Sequence, residues 1–364
     1  MQKYRRLFIV LLEIILALPY TSSLAETENP TNLWPVCKDG LYGFVDRQGR
    51  MVIPAKYEYA GSFSEGLAAV CKNHRYGFVD ASGRVVVSPR YEYVHPFSEG
   101  YALVRKAKTF GFINKSGKLV ITNRYQKLYP FSDGRALFCA NGKWGFIDHQ
   151  GKTIISARYE DALPFSEGLA AVCDKGKWGF INTQGNIVIA PQYQLAKPFG
   201  NGLAAVLQNG KWGFVDQNGN MKIQPKYISG AVFSEGLAWI IDPYSFDTAT
   251  SLYNHTLIDT TGREIALVLA SAVQPFREGL ASVQVNDYLG YVGLDGQWVI
   301  APHYSAIYAG VFIHFENGLA RVQLPSNLNV WGFIDAQDCM VIQPQYDYYH
   351  PDEELFFILT NDSD

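Results

Sequence analysis

Apolar and polar residues alternate along this chain in short runs, and the runs return at a fixed interval. The clearest run follows Lys143: it reads Trp-Gly-Phe-Ile over residues 144–147 and is followed by Asp-His-Gln-Gly over 148–151. The glycine of this pattern occupies positions 43, 77, 111, 145, 179 and 213, each 34 residues after the last. Alternation over short runs predicts β-strands, and the constant interval predicts a tandem repeat.

Turn chemistry divides each repeat into three strands. Strand one is the Trp-Gly-Phe-Ile run, and the Asp-x-x-Gly turn after it leads into strand two at residues 153–159. A Phe-Ser-Glu-Gly turn precedes strand three, which is Leu-Ala-Ala-Val at residues 169–172. Asn-Gly pairs such as Asn141-Gly142 predict tight hairpins from strand three to the next strand one. No amphipathic helix interrupts this pattern, so we predict an all-β protein.

The repeats predict a single tandem array over residues 33–364, made of about nine three-stranded β-meanders of 34 residues each. The array opens on a lone third strand at residues 33–37, and the last unit carries its own third strand at residues 355–359. Because the last unit is complete, the opening strand is not required to close a ring. We therefore expect an open solenoid or superhelix, and a closed propeller-like ring is the alternative.

The repeat resembles a known family. Lys-Trp-Gly-Phe-Ile-Asp-x-x-Gly, then Val-Ile-x-Pro-x-Tyr, then Phe-Ser-Glu-Gly-Leu-Ala-Ala-Val is similar to the WG repeat found in many bacterial proteins. The resemblance extends over residues 33–359. It implies a β-repeat array that is often exported or linked to the cell surface, with no catalytic residues to carry over.

The array becomes irregular from about residue 242. In the seventh unit Thr256 and Ala270 replace the repeated Gly and Tyr, and residues 242–254 contain nine extra positions. The eighth unit adds eight more, divided between residues 305–314 and 324–329. Insertions in repeat arrays collect in loops on one face, often the binding face. The alternative interpretation is a tolerated loop in a drifting unit.

The N-terminus has the pattern of an export signal. Lys3, Arg5 and Arg6 precede an apolar stretch at residues 7–18, and Ser23-Leu24-Ala25 forms a small-x-small cleavage site. We therefore predict a signal peptide at residues 1–25, a mobile leader at 26–32 and an exported protein, either secreted or associated with the cell envelope. The alternative is a short membrane anchor, but a span normally needs about 20 apolar residues. We expect no membrane span after signal removal.

Charge and motifs argue against several classes of function. The 31 basic and 34 acidic residues are spread along the chain, so no basic stripe is available for nucleic acid. No phosphate-binding glycine loop, His-Glu-x-x-His, Gly-x-Ser-x-Gly or Cys-x-x-Cys motif occurs, so we expect neither an enzyme nor a cofactor. We predict no metal site, because the histidines at 303, 314 and 350 lack ligand spacing.

One acidic column has two interpretations. Its members precede the repeated Gly at Glu65, Glu99, Asp133, Glu167, Glu235 and Glu278. Stacked units would align these carboxylates into a row that suits Ca²⁺. Alternatively they stabilise the turn, and Asn201 and Asn317 in the same column favour this second interpretation.

Aromatic and cysteine residues complete the candidates. Aromatic residues that recur in step with the strands predict a core, whereas a candidate binding surface is formed by aromatic residues outside those columns: Trp239, Tyr244, Phe246, Tyr253 and Tyr308.

Two disulfides, Cys37–Cys71 and Cys139–Cys173, are candidates if neighbouring units bring the Cα atoms within about 7 Å. Sheet-on-sheet stacking at about 10 Å would prevent both, and buried free thiols are the alternative.

Three functions were weighed on these observations. We expect a non-catalytic exported scaffold that binds a protein or peptide partner, because the array is long and catalytic motifs are absent. The alternative is a cell-envelope carbohydrate or peptidoglycan binder that uses exposed aromatic rings. An enzyme with a site at the 242–254 insert is the least supported, because no nucleophile–base or paired-acid arrangement is visible.

Overall fold

The fold consists of β-strands joined by turns. The computed structural model describes residues 31–125, 127–250, 252–306 and 314–347. Strands β1 to β15 are Trp34–Lys38, Leu41–Val45, Met51–Tyr57, Tyr59–Ser64, Leu67–Lys72, Arg75–Asp80, Val85–Tyr91, Tyr93–Val94, Tyr101–Lys106, Thr109–Asn114, Leu119–Tyr125, Lys127–Ser132, Arg135–Ala140, Lys143–Ile147 and Thr153–Tyr159. Strands β16 to β33 are Asp161–Ala162, Leu169–Asp174, Lys177–Asn182, Ile187–Tyr193, Leu195–Gly200, Leu203–Gln208, Lys211–Asp216, Met221–Tyr227, Leu237–Asp247, Leu252–Asp259, Glu264–Ala270, Ala272–Val273, Leu280–Val285, Tyr288–Gly293, Trp298–Ser305, Ala320–Leu324, Asn327–Ile334 and Met340–Asp347. The all-β prediction is confirmed.

The strands form eight antiparallel sheets, and the usual sheet has four strands rather than three. The sheet β20-β21-β22-β23 is typical: β21 pairs with β22 from Leu203↔Asp216 to Gln208↔Lys211, and β20 adds to its other edge. The first strand of each four-stranded sheet, which lies between the Tyr and the Phe-Ser-Glu-Gly turn, was not predicted. In β12 and β20 this strand contains a proline, Pro130 and Pro198, which argues against a strand unless the strand lies at an edge, where both of these lie.

The repeated glycine lets one strand cross closely over another. In β14 and β15, Trp144 pairs with Tyr159 and Phe146 with Ile155, so three residues of β15 face Gly145 alone. A Cβ on Gly145 would lie 2.5 Å from the Ile155 carbonyl oxygen and 2.6 Å from the Ala157 nitrogen. Only glycine fits beneath this arch.

The hydrophobic core lies between successive sheets. One cluster combines Trp178, Phe180 and Ile189 of one sheet with Phe199 and Val206 of the next. Phe180 and Phe199 meet edge-on with ring centroids 4.9 Å apart. Sheets therefore stack face to face around an axis, and each repeat contributes half of two cores.

The two ends of the array meet, so the predicted open solenoid is wrong and the chain closes into a β-propeller ring. The first and last meanders share a six-stranded sheet, β3-β2-β1-β33-β32-β31, through pairing of Cys37 with Asp347. They also share a core that contains Trp34 and Val36 from the start and Phe333 and Ile342 from the end. The Trp34 indole donates to the Glu316 carbonyl at 3.0 Å. The closing strand predicted at residues 355–359 lies outside the described residues.

Contacts at the closure repeat those between ordinary neighbours. Gly185 packs over Ile155 of the preceding sheet, and Gly49 packs in the same way over Ile342. The physical reason for closure is thus that the last unit offers the first one the same surface that every unit offers its successor. The prediction failed because the presence of a complete last unit does not determine the angle between neighbouring sheets.

The ring has two faces with different connections. The turns of the Phe-Ser-Glu-Gly and Asp-x-x-Gly type lie on one face, which we call the turn face. The connections from second to third strand, such as β17 to β18, lie on the opposite face, which we call the hairpin face. The first strand of a sheet lies against the second strand of the preceding sheet, as β20 does against β17. Near the turns, Ser132 Oγ donates to the Phe165 carbonyl at 2.6 Å and Ser166 Oγ to the Phe199 carbonyl at 2.8 Å.

Candidate functional site

The 242–254 insert lengthens one hairpin on the hairpin face. Strand β24 has 11 residues and pairs with β25, whereas the equivalent strands of regular sheets have six. Its partner β25 is only two residues longer than the regular equivalent, because β24 bulges out of the pairing between Asp242 and Asp247, so the paired hairpin is longer by about 7 Å. This segment, which we call the long hairpin, therefore projects from the face beyond its neighbours.

Hydrogen bonds within the long hairpin fix its shape. Asp242 accepts from the Tyr244 N–H at 2.9 Å, and Ser245 Oγ donates to the Asp242 carbonyl at 2.6 Å. The Asn254 N–H donates to Ser245 Oγ at 2.7 Å from the opposite strand. At the tip, the Ala249 N–H and the Thr250 hydroxyl both donate to Asp247, which lowers the pKa of that carboxyl. Because the hairpin is already ordered, it loses little conformational entropy when it binds a partner.

The candidate aromatic residues divide into exposed and buried ones. Tyr244 is 81% exposed and Phe246 45% exposed, and the Phe246 ring leans on Tyr253 at 4.9 Å. Trp239 lies in the core, 8% exposed, stacked on Phe276. Its place in the regular part of β24 puts it among core residues, so it offers no surface for binding. Tyr308 lies outside the described residues.

A second feature of the hairpin face was missed by the sequence analysis. After the β1–β2 hairpin, where the exposed Lys38 is followed by Asp39, five successive hairpins carry exposed lysines at or beside their tips. We call the lysines of these five hairpins the lysine arc: Lys72, Lys106, Lys108, Lys143, Lys175, Lys177 and Lys211. These lysines are scattered along the sequence, and the fold brings them to one face. The sequence pattern that could have predicted the arc is the constant position of these lysines next to the hairpin turn in successive repeats.

The acidic column on the turn face joins neighbouring sheets. Each carboxylate accepts from the backbone N–H of the glycine one unit further on, as Glu65 does from Gly100 and Asp133 from Gly168 at 2.7 Å. Asn201 accepts in the same way from Gly236 through its amide oxygen. The column therefore stabilises turns and links units, and an amide serves as well as a carboxylate.

Cysteines and histidines show no bridge or ligand set within the described residues. Cys37, Cys71, Cys139, Cys173 and Cys339 are free thiols. The candidate bridges Cys37–Cys71 and Cys139–Cys173 join equivalent positions of adjacent sheets, and face-to-face stacking at about 10 Å separates such positions too far. In the described ranges no three His, Cys, Asp or Glu side chains come together as a metal site.

Two further findings concern membranes and the neighbouring folds. Among the residues that the structure describes, no helix has the length and apolar character needed to cross a bilayer. A crystal structure of the eukaryotic initiation factor shares 11% identity and a TM-score of 0.59, over 88% of this chain and 97% of that chain. BamB from Moraxella catarrhalis shares 13% identity and a TM-score of 0.40, over 72% and 88%. At such identity the first likeness concerns the fold alone, and the second is too weak to carry an argument.

Sequence comparison gives a family. No curated protein matches this chain. The family described as WG containing repeat matches residues 42–74, 76–108, 110–144, 144–178, 178–212, 212–241, 290–324 and 331–361. The unmatched interval, 242–289, is where the seventh unit loses the repeated Gly and Tyr. With most of its length matched in this way, the chain belongs to the WG repeat family.

Proposed function

We propose that this protein is a non-catalytic binding scaffold that recognises a protein or peptide partner through the long hairpin. The observation that carries the proposal is Tyr244, which is 81% exposed on a projecting hairpin held by its own hydrogen bonds. Rigid, exposed aromatic side chains are the residues that most often anchor protein interfaces. A ring of stacked sheets provides the stable base that such a hairpin needs.

The test compares capture of proteins from an envelope extract by two immobilised variants. Tyr244→Ala/Phe246→Ala removes the exposed rings of the long hairpin. Leu267→Ala/Leu269→Ala is the matched control, because these leucines are 64% and 49% exposed on β26 of the same sheet. We expect the first variant to lose a specific partner by at least tenfold, since an aromatic anchor contributes about 2 kcal/mol or more. Equal capture by both variants would contradict the proposal.

Carbohydrate is the second candidate ligand, because the same exposed rings can stack on sugars. Retention of the wild-type chain on peptidoglycan or polysaccharide, lost in Tyr244→Ala/Phe246→Ala and kept in the leucine control, would favour this ligand over a protein. No retention with either form would leave the protein partner as the proposal.

We also propose that the protein is exported, on the strength of the sequence pattern at residues 1–25. N-terminal sequencing of the chain recovered from its native cell should give Glu26 as the first residue. A chain that retains Met1 in the cytoplasmic fraction would overturn this proposal.

A further inference from the structure

The lysines of the arc carry free charges, whereas several cations on the turn face are ion-paired. On the turn face, Arg50 pairs with Asp46 at 2.7 Å, Arg84 with Asp80 at 2.9 Å and Lys115 with Glu65 at 3.0 Å. No lysine of the arc has an ion-pair partner within the described part of the chain, and all seven are exposed. Other cations of these hairpins are paired, as Arg75 and Arg105 are with Glu92 at 3.7 Å, so the free positive charge of the five hairpins is that of the seven lysines.

Acidic residues near the arc bind backbone rather than lysine. Glu58 accepts from the Asn73 and His74 N–H groups, each at 2.8 Å, and Glu160 accepts from the Gly176 N–H at 2.8 Å. The bond from the His74 N–H is the main cause that lowers the pKa of Glu58. These carboxylates fix the hairpin tips from beneath, and in the described residues neither forms an ion pair with a lysine of the arc.

The rest of the hairpin face has the opposite character. The hairpins of the seventh and eighth units carry Asp242, Asp247 and Asp287 together with the exposed rings of Tyr244 and Tyr288, and none of their described tip residues is a lysine or arginine. One face therefore presents a basic sector beside an aromatic sector. Such a combination fits a partner that docks an apolar group at one end and negative charge along the other.

We propose that the lysine arc binds an acidic peptide segment of the partner protein. Successive sheets lie about 10 Å apart, so the five hairpins span about 40 Å, which an extended segment of about 12 residues covers. The arc consists of lysines, whereas bidentate phosphate recognition favours arginine, and no aromatic ring of the arc hairpins is placed at a tip for base stacking. This inference rests on the proposed binding function and adds the chemistry of its partner.

The test measures binding of a fluorescent 15-residue glutamate-rich peptide to the full chain at low salt. Lys143→Glu/Lys177→Glu reverses two equivalent charges of the arc. Lys118→Glu/Lys152→Glu is the matched control, because it reverses two equivalent exposed lysines on the turn face. We expect the arc variant to bind roughly tenfold more weakly and the control to stay within about twofold of wild type. Higher salt should weaken wild-type binding and narrow this difference.

Several results would overturn the proposal. They are failure of the wild-type chain to bind the peptide at low salt, equal weakening in both variants, and preference for single-stranded DNA or anionic lipid vesicles of equal charge. Circular dichroism of both variants would show whether they remain folded. The aromatic test of the long hairpin is separate, so loss of the peptide result would not affect that result.

Discussion

At the residue scale, the repeated glycine is explained by a backbone contact that the sequence does not reveal. The fourth strand of each regular sheet arches over this glycine, and its carbonyl and amide atoms occupy the space of a Cβ. The seventh unit, which lacks both the glycine and the arch, supports this explanation. There Thr256 takes the glycine position and pairs in regular register with Leu267, so no arch forms and a side chain is accommodated.

Replacement of this glycine should be far more costly than replacement of a turn glycine. Gly145→Ala places a Cβ against three backbone atoms, so we expect a loss of about 3 kcal/mol or more in unfolding free energy. Gly142→Ala at the hairpin tip meets nothing within 4 Å and is strained only by its φ of 72°, so about 1 kcal/mol is expected. Urea denaturation of both variants measures the difference, and similar losses would contradict the arch.

The buried His255 should make stability fall on acidification. It replaces the repeated aromatic residue in the seventh unit, is 1% exposed, and its Nδ1–H donates to the Tyr253 carbonyl at 3.0 Å. Burial lowers its pKa below the ordinary value of 6.5, so the unfolded chain binds a proton more readily than the folded one. This stability contribution is therefore complete above about pH 6.5 and decreases below it.

Comparison with His255→Phe isolates that contribution. The difference in unfolding free energy between wild type and variant should shift against the wild type between about pH 7.5 and 5.5. Thermal denaturation across this range checks it. A constant difference would mean that the pKa of His255 is the same in the folded and unfolded states.

At the element scale, turns do more than reverse the chain. The turn between the first and second strands also links one sheet to the next, because its carboxylate or amide accepts an N–H from the neighbouring turn. Sequence reasoning identified the turn and the column of acidic residues. It could not find the link, because the two partners are 35 residues apart and become adjacent only when sheets stack.

Substitutions at Asp133 separate a linking role from a cation row. Asp133→Ala leaves the Gly168 N–H without its acceptor, and we expect a loss of about 1 kcal/mol. Asp133→Asn keeps an acceptor oxygen and should cost less than half of that, as Asn201 serves the same purpose. Chemical denaturation with and without Ca²⁺ tests both points. Equal losses, or stabilisation of wild type by Ca²⁺, would support the cation interpretation instead.

At the scale of the whole molecule, the ring has no free end within its core. Trp34 and Val36 are each only 2% exposed because the last unit covers them. The Arg321 guanidinium donates to the Pro35 carbonyl at 2.9 Å, and Tyr346 donates to the Gly49 carbonyl at 2.9 Å. Each unit therefore depends on a fixed angle to its neighbours as well as on contact with them.

Deletion of one unit should act at a distance. Removal of residues 144–177 shortens the ring by one repeat, so the remaining sheets cannot meet at the same angle. We expect amide exchange in β1 and β33 to accelerate at least tenfold, although both strands are remote from the deletion. Hydrogen-exchange mass spectrometry measures this. Unchanged protection of β1 and β33 would indicate that the ends are stable without closure.

What the sequence by itself determined is everything that depends on near neighbours along the chain. Strand periodicity, Asn-Gly and Asp-x-x-Gly turns and the 34-residue interval follow from local backbone preferences, and they gave the all-β repeat and its irregular seventh unit. They also pointed to Tyr244 and Phe246, because these lie outside the repeated columns. Trp239 was misjudged by the same criterion, since burial depends on the neighbouring sheet.

Tertiary structure alone decided the closure of the ring, the first strand of each four-stranded sheet and the gathering of lysines on one face. A small change in the angle between stacked sheets, repeated at each step, separates an open solenoid from a ring, and no local pattern encodes that angle. Likewise, lysines that recur about 34 residues apart do not form a visible cluster in the sequence. They become one surface because every repeat presents its hairpin in the same direction.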